Sequence, residues 1–169
     1  SWGTAKSKTY STNQTVYFGV RDNAGNIATT SRNTYIDKLA PSIPTYSGYN
    51  GNWTNKDVTV TVKSTDRAAN SSYGCSGIKS YCSSNTQGSY SWKDASAVNA
   101  SYNFTYTSNG TYYIYAKDQA GNISSDSTAA SPASKPLVLK VKIDKAKPVI
   151  SDVSVTKDTE TKKTTVTIT

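Results

Sequence analysis

Short runs in which apolar and polar residues alternate recur along the chain, and glycine and asparagine cluster between them. Every second residue is Val, Leu or Ile in the runs 58–62, 137–143, 153–155 and 166–168. A period of two with β-branched residues is typical of strands that bury one face. No stretch has an apolar period of 3.6 over more than two turns. The pattern therefore predicts an all-β chain of short strands, arranged as a sandwich or a barrel.

The chain also repeats itself. Residues 15–27 match residues 111–123 without a gap, at an offset of 96, and both copies contain Asp-x-Ala-Gly-Asn. Residues 36–43 match 143–150 at an offset of 107, and both copies begin Ile-Asp-Lys-x-x-Pro. The second copy therefore holds 107 − 96 = 11 extra residues, which fall in the Ser- and Ala-rich stretch 124–135. A period of about 100 residues is the size of one immunoglobulin-like sandwich.

The phase of the repeat predicts where units begin and end. Ile-Asp-Lys ends a unit and the proline starts the next, because proline has no amide donor for a continuing strand. We expect the C-terminal half of a preceding unit (1–38), one complete unit (39–147) and the N-terminal strands of a following unit (148–169). The complete unit is predicted to have seven strands, near 42–47, 57–63, 77–83, 89–92, 101–106, 111–118 and 136–144.

A half unit cannot bury both of its sheets. We therefore expect the two end segments to be partly frayed, or completed by a neighbouring molecule through strand exchange. The chain has no initiator methionine and no signal peptide, so we expect it to be a piece of something longer.

A strand is predicted to precede each Asp-x-Ala-Gly-Asn sequence. Alignment of the two copies predicts which of its residues face the core and which face solvent. The predicted inward face comprises Val16, Phe18 and Val20 in the first copy and Tyr112, Ile114 and Ala116 in the second. The predicted outward face comprises Tyr17, Gly19, Tyr113 and Tyr115. Trp53 and Trp92 are predicted to plug the core or a sheet edge, because burial of a large ring is strongly stabilising.

Composition excludes several kinds of site within this chain. Its 169 residues include no His and a single Glu, Glu160. A Ser-His-Asp triad, a Cys-His dyad and an imidazole metal ligand are therefore absent from it, and a carboxylate pair for glycosidic cleavage would have to come from Asp. No apolar run approaches the ~18 residues of a membrane span. We predict a protein that is not an enzyme and does not insert into a membrane.

The net charge of 19 − 11 = +8 raises the question of an acidic partner. Residues 135–169 carry 8 − 4 = +4, largely as lysines on strand faces. Such a face can meet nucleic acid or an acidic polymer, or it can be a solvated face whose lysines discourage edge pairing. No nucleic-acid motif with stacking aromatics at a defined spacing is present. The sequence therefore favours the solvated face and predicts no nucleic-acid partner.

Three pieces of the chain resemble the bacterial immunoglobulin-like (Big-type) repeat domains of extracellular surface proteins and adhesins. They are the Trp-Thr-Asn-Lys-Asp-Val-Thr-Val-Thr-Val run at 53–62, Asp-x-Ala-Gly-Asn at 22–26 and 118–122, and Ile-Asp-Lys-x-x-Pro at 36–41 and 143–148. The resemblance covers essentially the whole chain. It implies immunoglobulin-like β-sandwich repeats on the bacterial cell surface or cell wall, with neighbouring repeats of the same protein as partners. Such repeats act as stalks or as adhesive modules.

The two Asp-x-Ala-Gly-Asn sequences favour hairpin turns, because Asp supplies an Asx turn, Gly a positive φ, and Asn tolerates the left-handed region. The turn residues are Asp22, Gly25 and Asn26 in the first copy and Asp118, Gly121 and Asn122 in the second. The alternative is calcium, which some related adhesin repeats bind at domain junctions. The candidate ligands are Asp22, Asp37, Asp118 and Asp144. Lys38 and Lys145 stand beside two of these aspartates and disfavour a dication, so no cofactor is predicted, with calcium as the alternative.

Cys75 and Cys82 are the only cysteines. Seven steps of extended strand would separate them by about 23 Å, too far for a disulfide. Ser76-Gly77 between them permits a turn, and an exported protein with two cysteines favours a bond. We predict a disulfide, with two free thiols as the alternative.

Tyr113, Tyr115 and Trp92 are candidate ligand-binding residues, because exposed aromatic rings stack on sugars. The alternative is cross-strand aromatic pairing. The 124–135 segment is predicted to be a flexible loop between the last two strands, where many sandwiches carry binding loops. The sequence favours a non-catalytic structural stalk or spacer. The alternative function is an adhesin or carbohydrate-binding module that contacts host or cell-wall glycans through the aromatic face or this loop.

Overall fold

A computed structural model describes residues 7–68 and 73–169, and the regular elements in these ranges are β-strands. They are β1 (Thr15–Arg21), β2 (Ile27–Asn33), β3 (Thr45–Ser47), β4 (Val58–Lys63), β5 (Ile78–Ser84), β6 (Lys93–Asp94), β7 (Tyr102–Tyr106), β8 (Gly110–Asp118), β9 (Leu137–Val141), β10 (Val153–Asp158) and β11 (Lys163–Ile168). The prediction of an all-β chain is confirmed for the described residues. These residues include no helix of the length and hydropathy that a membrane span requires.

Seven central strands form two antiparallel sheets. One sheet has the order β3-β4-β7 and the other has the order β6-β5-β8-β9. A single cluster of buried side chains draws on both sheets: Val58, Val60, Val62, Ile78, Tyr81, Tyr106, Ile114, Ala116, Leu139, Val141 and Ile143. The alternation of valines along β4 places all three in this cluster, because successive side chains of a strand point to opposite faces. The arrangement is consistent with a β-sandwich.

The central strands lie close to their predicted positions, with two notable shifts. β3 begins at Thr45 rather than at residue 42, since the prolines at 41 and 44 supply no amide donor to a ladder. β6 covers Lys93–Asp94 rather than 89–92, because residues 86–89 form a turn in which the Ser89 amide donates to the Thr86 carbonyl (3.3 Å).

Two aromatic side chains, Tyr115 and Trp53, differ from their predicted surroundings. Tyr115 points away from the core cluster, as predicted, but it is only 2% exposed. The segment 88–92 covers it: the Gly88 amide donates to the Tyr115 hydroxyl (3.1 Å), and the Tyr90 ring lies against it. Trp92 is half-buried. Trp53 is 62% exposed, so the prediction that it plugs the core or an edge is wrong.

The first and last strand pairs stand outside the two central sheets. β1 pairs only with β2, and β10 pairs only with β11, each as a two-stranded antiparallel sheet. Val16 is buried, but Phe18 and Val20 are exposed, and so are the paired apolar residues of β10 and β11. The prediction that Phe18 and Val20 face a core is therefore wrong for the described chain, because a lone hairpin has no facing sheet to cover them.

Candidate functional site

The two Asp-x-Ala-Gly-Asn sequences form turns with the same hydrogen bonds. In turn 22–26, the Asn26 backbone amide and side-chain Nδ2 donate to the two carboxylate oxygens of Asp22, both at 2.8 Å. In turn 118–122, Asn122 donates to Asp118 in the same way, both at 2.8 Å. The glycines of the two turns have φ of +96° and +98°, a region that favours glycine because it has no Cβ.

The surroundings of the two turns differ. Asp22 is exposed, and the hydrogen bonds from Asn26 lower its pKa. Asp118 is only 1% exposed, and burial raises its pKa in spite of the same hydrogen bonds. The second turn therefore holds a carboxylate whose charge is poorly solvated.

Asp118 belongs to a cluster of three carboxylates at one end of the central sandwich. Oxygen atoms of Asp37, Asp66 and Asp118 lie within 4.8 Å of one another. The Gly77 amide donates to Asp66 Oδ2 (2.6 Å), and the Ser76 amide donates to Asp37 Oδ2 (2.8 Å). The segment that follows β2 is thereby bonded to the segment that precedes β5.

The cluster carries unbalanced negative charge. Burial raises the pKa of Asp66, and repulsion from Asp37 and Asp118 raises it further. Repulsion from Asp37 adds to the effect of burial on the pKa of Asp118. The two ion pairs found among the described residues, Lys135–Asp126 and Lys145–Asp57, do not include these carboxylates.

The structure unites two of the four predicted calcium ligands, Asp37 and Asp118. Asp22 lies in the β1–β2 turn and Asp144 lies after β9, and neither joins the cluster. Asp66 is the third carboxylate of the cluster, and the sequence analysis did not predict it. Its position just after the core strand β4, at the end of the sandwich where β8 also ends, could have indicated it.

The donor chemistry of the cluster fits calcium in part. Three carboxylates are the hard oxygen ligands that Ca²⁺ prefers, although the ion takes six to eight oxygens. Asp37, Asp66 and Asp118 are the residues that would hold it. Each of their six carboxylate oxygens also accepts a hydrogen bond from an N–H group of the chain. The cluster is therefore satisfied in its hydrogen bonds by the chain itself.

The 124–135 segment is bonded to the chain between β2 and β3, so the prediction of a flexible loop is wrong. The Ser125 amide donates to the Pro41 carbonyl (3.0 Å), and the Ser131 amide donates to the Lys38 carbonyl (2.9 Å). Ala130 forms an antiparallel bridge with Leu39. These bonds fix the segment along residues 38–41.

Arg67 joins the same two segments. Its guanidinium donates to the carbonyls of Ala40 (3.2 Å), Ser125 (3.0 Å) and Ser127 (2.6 Å). Three carbonyls from two separate stretches of chain suit the planar fork of an arginine. No feature of the sequence singled out Arg67, because its partners are backbone groups.

The predicted disulfide does not form. Cys75 and Cys82 are free, the first exposed and the second buried. Cys82 lies well inside β5, and the extended strand carries it away from Cys75, which precedes the strand. Burial raises the pKa of Cys82 to about 11, so its thiol is protonated at neutral pH.

The predicted sugar-binding aromatics do not form an open platform. Tyr115 is covered, and Tyr113 is half-buried. The Trp92 ring stacks on Tyr90 with centroids 5.4 Å apart, and Lys117 Nζ lies 4.5 Å from the centroid of the same ring. Pairing between aromatic side chains therefore accounts for this group.

Comparison with known proteins adds no further constraint. No protein-family model, curated protein or solved structure matches this chain.

Proposed function

We propose that this chain is a stretch of tandem immunoglobulin-like β-sandwich repeats that serves as a non-catalytic stalk or spacer on an exported bacterial cell-surface protein. The observation that carries the proposal is the turn that recurs 96 residues apart with the same two hydrogen-bonded atom pairs in each copy, both from the asparagine to its aspartate. A sequence repeat that is also a repeat of geometry favours a tandem array of one folded unit. The partners of the chain under this proposal are neighbouring repeats of the same protein, and its location is extracellular.

The order of the central strands supports an immunoglobulin-like unit. The first, second and fifth strands share one sheet, and the third, fourth, sixth and seventh share the other. In immunoglobulin-type sandwiches the first, second and fifth strands likewise lie together, opposite the third, sixth and seventh. The core differs from that of antibody domains: Tyr81 lies fully buried on the third strand, where those domains have a tryptophan against a disulfide.

A tyrosine near the start of the sixth strand gives further support. The Tyr112 hydroxyl donates to the Ser108 carbonyl four residues upstream (3.2 Å). A tyrosine at this corner, bonded to backbone a few residues upstream, is a hallmark of immunoglobulin-like sandwiches.

The stalk function is supported by the way the chain enters the central sandwich. Asp37 accepts a hydrogen bond from the Leu39 amide (3.1 Å), and Asp144 accepts one from the Ala146 amide (2.9 Å), so the Asx turn after Ile-Asp recurs in both copies. At the first copy, residues 37–41 are further held by Ser76, Arg67 and the 124–135 segment. In a repeat array, stiffness is set by such contacts between neighbours.

Small-angle X-ray scattering of the 169-residue chain tests the proposal. A compact globule of this length has a radius of gyration of about 15 Å. Successive units joined end to end are elongated, so we expect a clearly larger radius and a scattering profile typical of a rod. A monomer with the compact value would contradict the stalk proposal.

A further inference from the structure

The loop between β3 and β4 carries an exposed tryptophan beside two cavities. Trp53 borders a shallow cavity of about 770 Å³ that is wide open to solvent and that Tyr49 and Asn52 also line. It borders a second cavity of about 290 Å³ together with Thr54, Asn55 and Asp144. The larger volume falls in the range of small-molecule sites, about 300–1,000 Å³.

The backbone on both sides of Trp53 is held in place. The Thr54 amide donates to the Lys142 carbonyl (3.2 Å), and the Asp144 amide donates to the Thr54 carbonyl (2.9 Å). The Tyr49 hydroxyl donates to the Asn52 carbonyl (2.9 Å) and accepts from the Lys142 amide (2.9 Å). The indole therefore stands on a loop that is already ordered, which reduces the entropy that binding must overcome.

Two polar side chains with free hydrogen-bonding groups line the cavities that Trp53 borders, Asn52 the larger and Asn55 the smaller. Asn52 and Asn55 are exposed, and their side-chain amides take part in no hydrogen bond of the described residues. A carboxamide offers two donors and an acceptor, which matches the hydroxyl groups of a sugar. Lys56 and Asp144, which line the larger and the smaller cavity, have opposite charges, and Asp57 forms an ion pair with Lys145, so these four charges sum to zero.

We propose that Trp53, Asn52 and Asn55 form a binding site for a neutral oligosaccharide. The apolar face of one pyranose ring stacks on the indole, and the amides of Asn52 and Asn55 bond hydroxyl groups of the oligosaccharide in the larger and the smaller cavity. The larger cavity accommodates the next sugar along the chain. Trp92 does not offer this geometry, because Tyr90 and Lys117 already lie against its ring. This site is separate from the stalk proposal and gives the unit a ligand of its own.

Titration of the ¹⁵N-labelled 169-residue chain with cellotetraose, maltotetraose and chitotetraose, followed by NMR, tests the site. We expect saturable shifts of the Trp53 indole and of the Asn52 and Asn55 side-chain amides with at least one of the three, with a Kd of about 1 mM. Trp53→Ala is expected to weaken binding about tenfold or more, and Trp53→Phe less. Trp92→Phe is the matched control and should bind as the wild type does. All variants are compared by circular dichroism to show that the fold is retained.

Three results would each overturn the proposal. The first is the absence of shifts with all three sugars at concentrations about tenfold above that Kd. The second is binding that Trp53→Ala leaves unchanged. The third is a shift of the Trp53 indole on dilution without sugar, which would assign this surface to a second copy of the chain.

Discussion

Asp22 and Asp118 occupy equivalent positions in two copies of one turn. The pKa of Asp22 nevertheless lies below its ordinary value, whereas the pKa of Asp118 lies above it. The local hydrogen bonds are alike, so the difference comes from solvent: Asp22 is in water, and Asp118 is enclosed near Asp37 and Asp66. The turn itself was predictable, since Asp, Gly and Asn determine it locally. The burial was not, because it depends on residues that are distant in the sequence.

The raised pKa values of Asp66 and Asp118 predict an unusual dependence of stability on pH. In the unfolded chain both groups titrate near the ordinary value of 3.8. The folded chain keeps these two protons up to a higher pH, so above pH 3.8 it binds more protons than the unfolded chain. The contribution of these groups to the free energy of unfolding therefore falls as pH rises. We expect the melting temperature to increase as pH is lowered from about 7 toward 4.

Two matched variants isolate this effect. Asp118→Asn removes a titrating group from the cluster and should flatten the pH dependence of the melting temperature. Asp22→Asn makes the same change in the exposed copy of the turn and should leave the dependence unchanged over that range. Equal slopes in the wild type and Asp118→Asn would contradict the prediction.

The same melting experiment tests the calcium hypothesis. A dication held by Asp37, Asp66 and Asp118 would stabilise the folded chain by mass action. The hypothesis predicts that calcium chloride raises the melting temperature at neutral pH, and that Asp66→Asn removes the rise. Sodium chloride at the same ionic strength separates binding from simple screening. No rise beyond that control would reject the hypothesis.

At the scale of elements, the positions of the strands followed from the sequence, but the docking of one long segment did not. A period of two located the core strands such as β4 and β8, because a half-buried strand requires it. The offset between the copies located the 124–135 segment. Its attachment to residues 38–41 was not predictable, because it depends on backbone carbonyls and amides, which every residue has.

Arg67 is expected to hold that attachment together. In Arg67→Lys a single ammonium cannot reach the carbonyls of Ala40, Ser125 and Ser127 together, so we expect a loss of about 1–3 kcal/mol in the free energy of unfolding by urea. The Ser125 and Ser131 amides should also exchange hydrogen faster. The exposed Arg32→Lys in β2 is the control, with a change within about 0.5 kcal/mol. An Arg67→Lys chain as stable as the wild type would show that the segment docks without the arginine.

At the scale of the whole molecule, the described chain has one well-covered core and two hairpins that lack a facing sheet. The repeat in the sequence predicted seven strands for residues 39–147, and the two central sheets comprise the seven strands β3 to β9. In the hairpins β1–β2 and β10–β11 the two strands pair along their whole length, but most of their apolar side chains are exposed to solvent. A two-stranded sheet is marginally stable by itself, so local stability should vary along the chain.

Hydrogen exchange followed by mass spectrometry measures this variation. We expect amides of β4, β5 and β8 to exchange only when the whole sandwich unfolds, and amides of the two hairpins to exchange far sooner through local opening. Equal protection of hairpins and central strands in a dilute monomer would contradict this expectation. Exchange at increasing protein concentration then tests completion by a neighbouring molecule. If a second chain covers the exposed faces, protection of the hairpins should rise with concentration while that of β4, β5 and β8 stays constant.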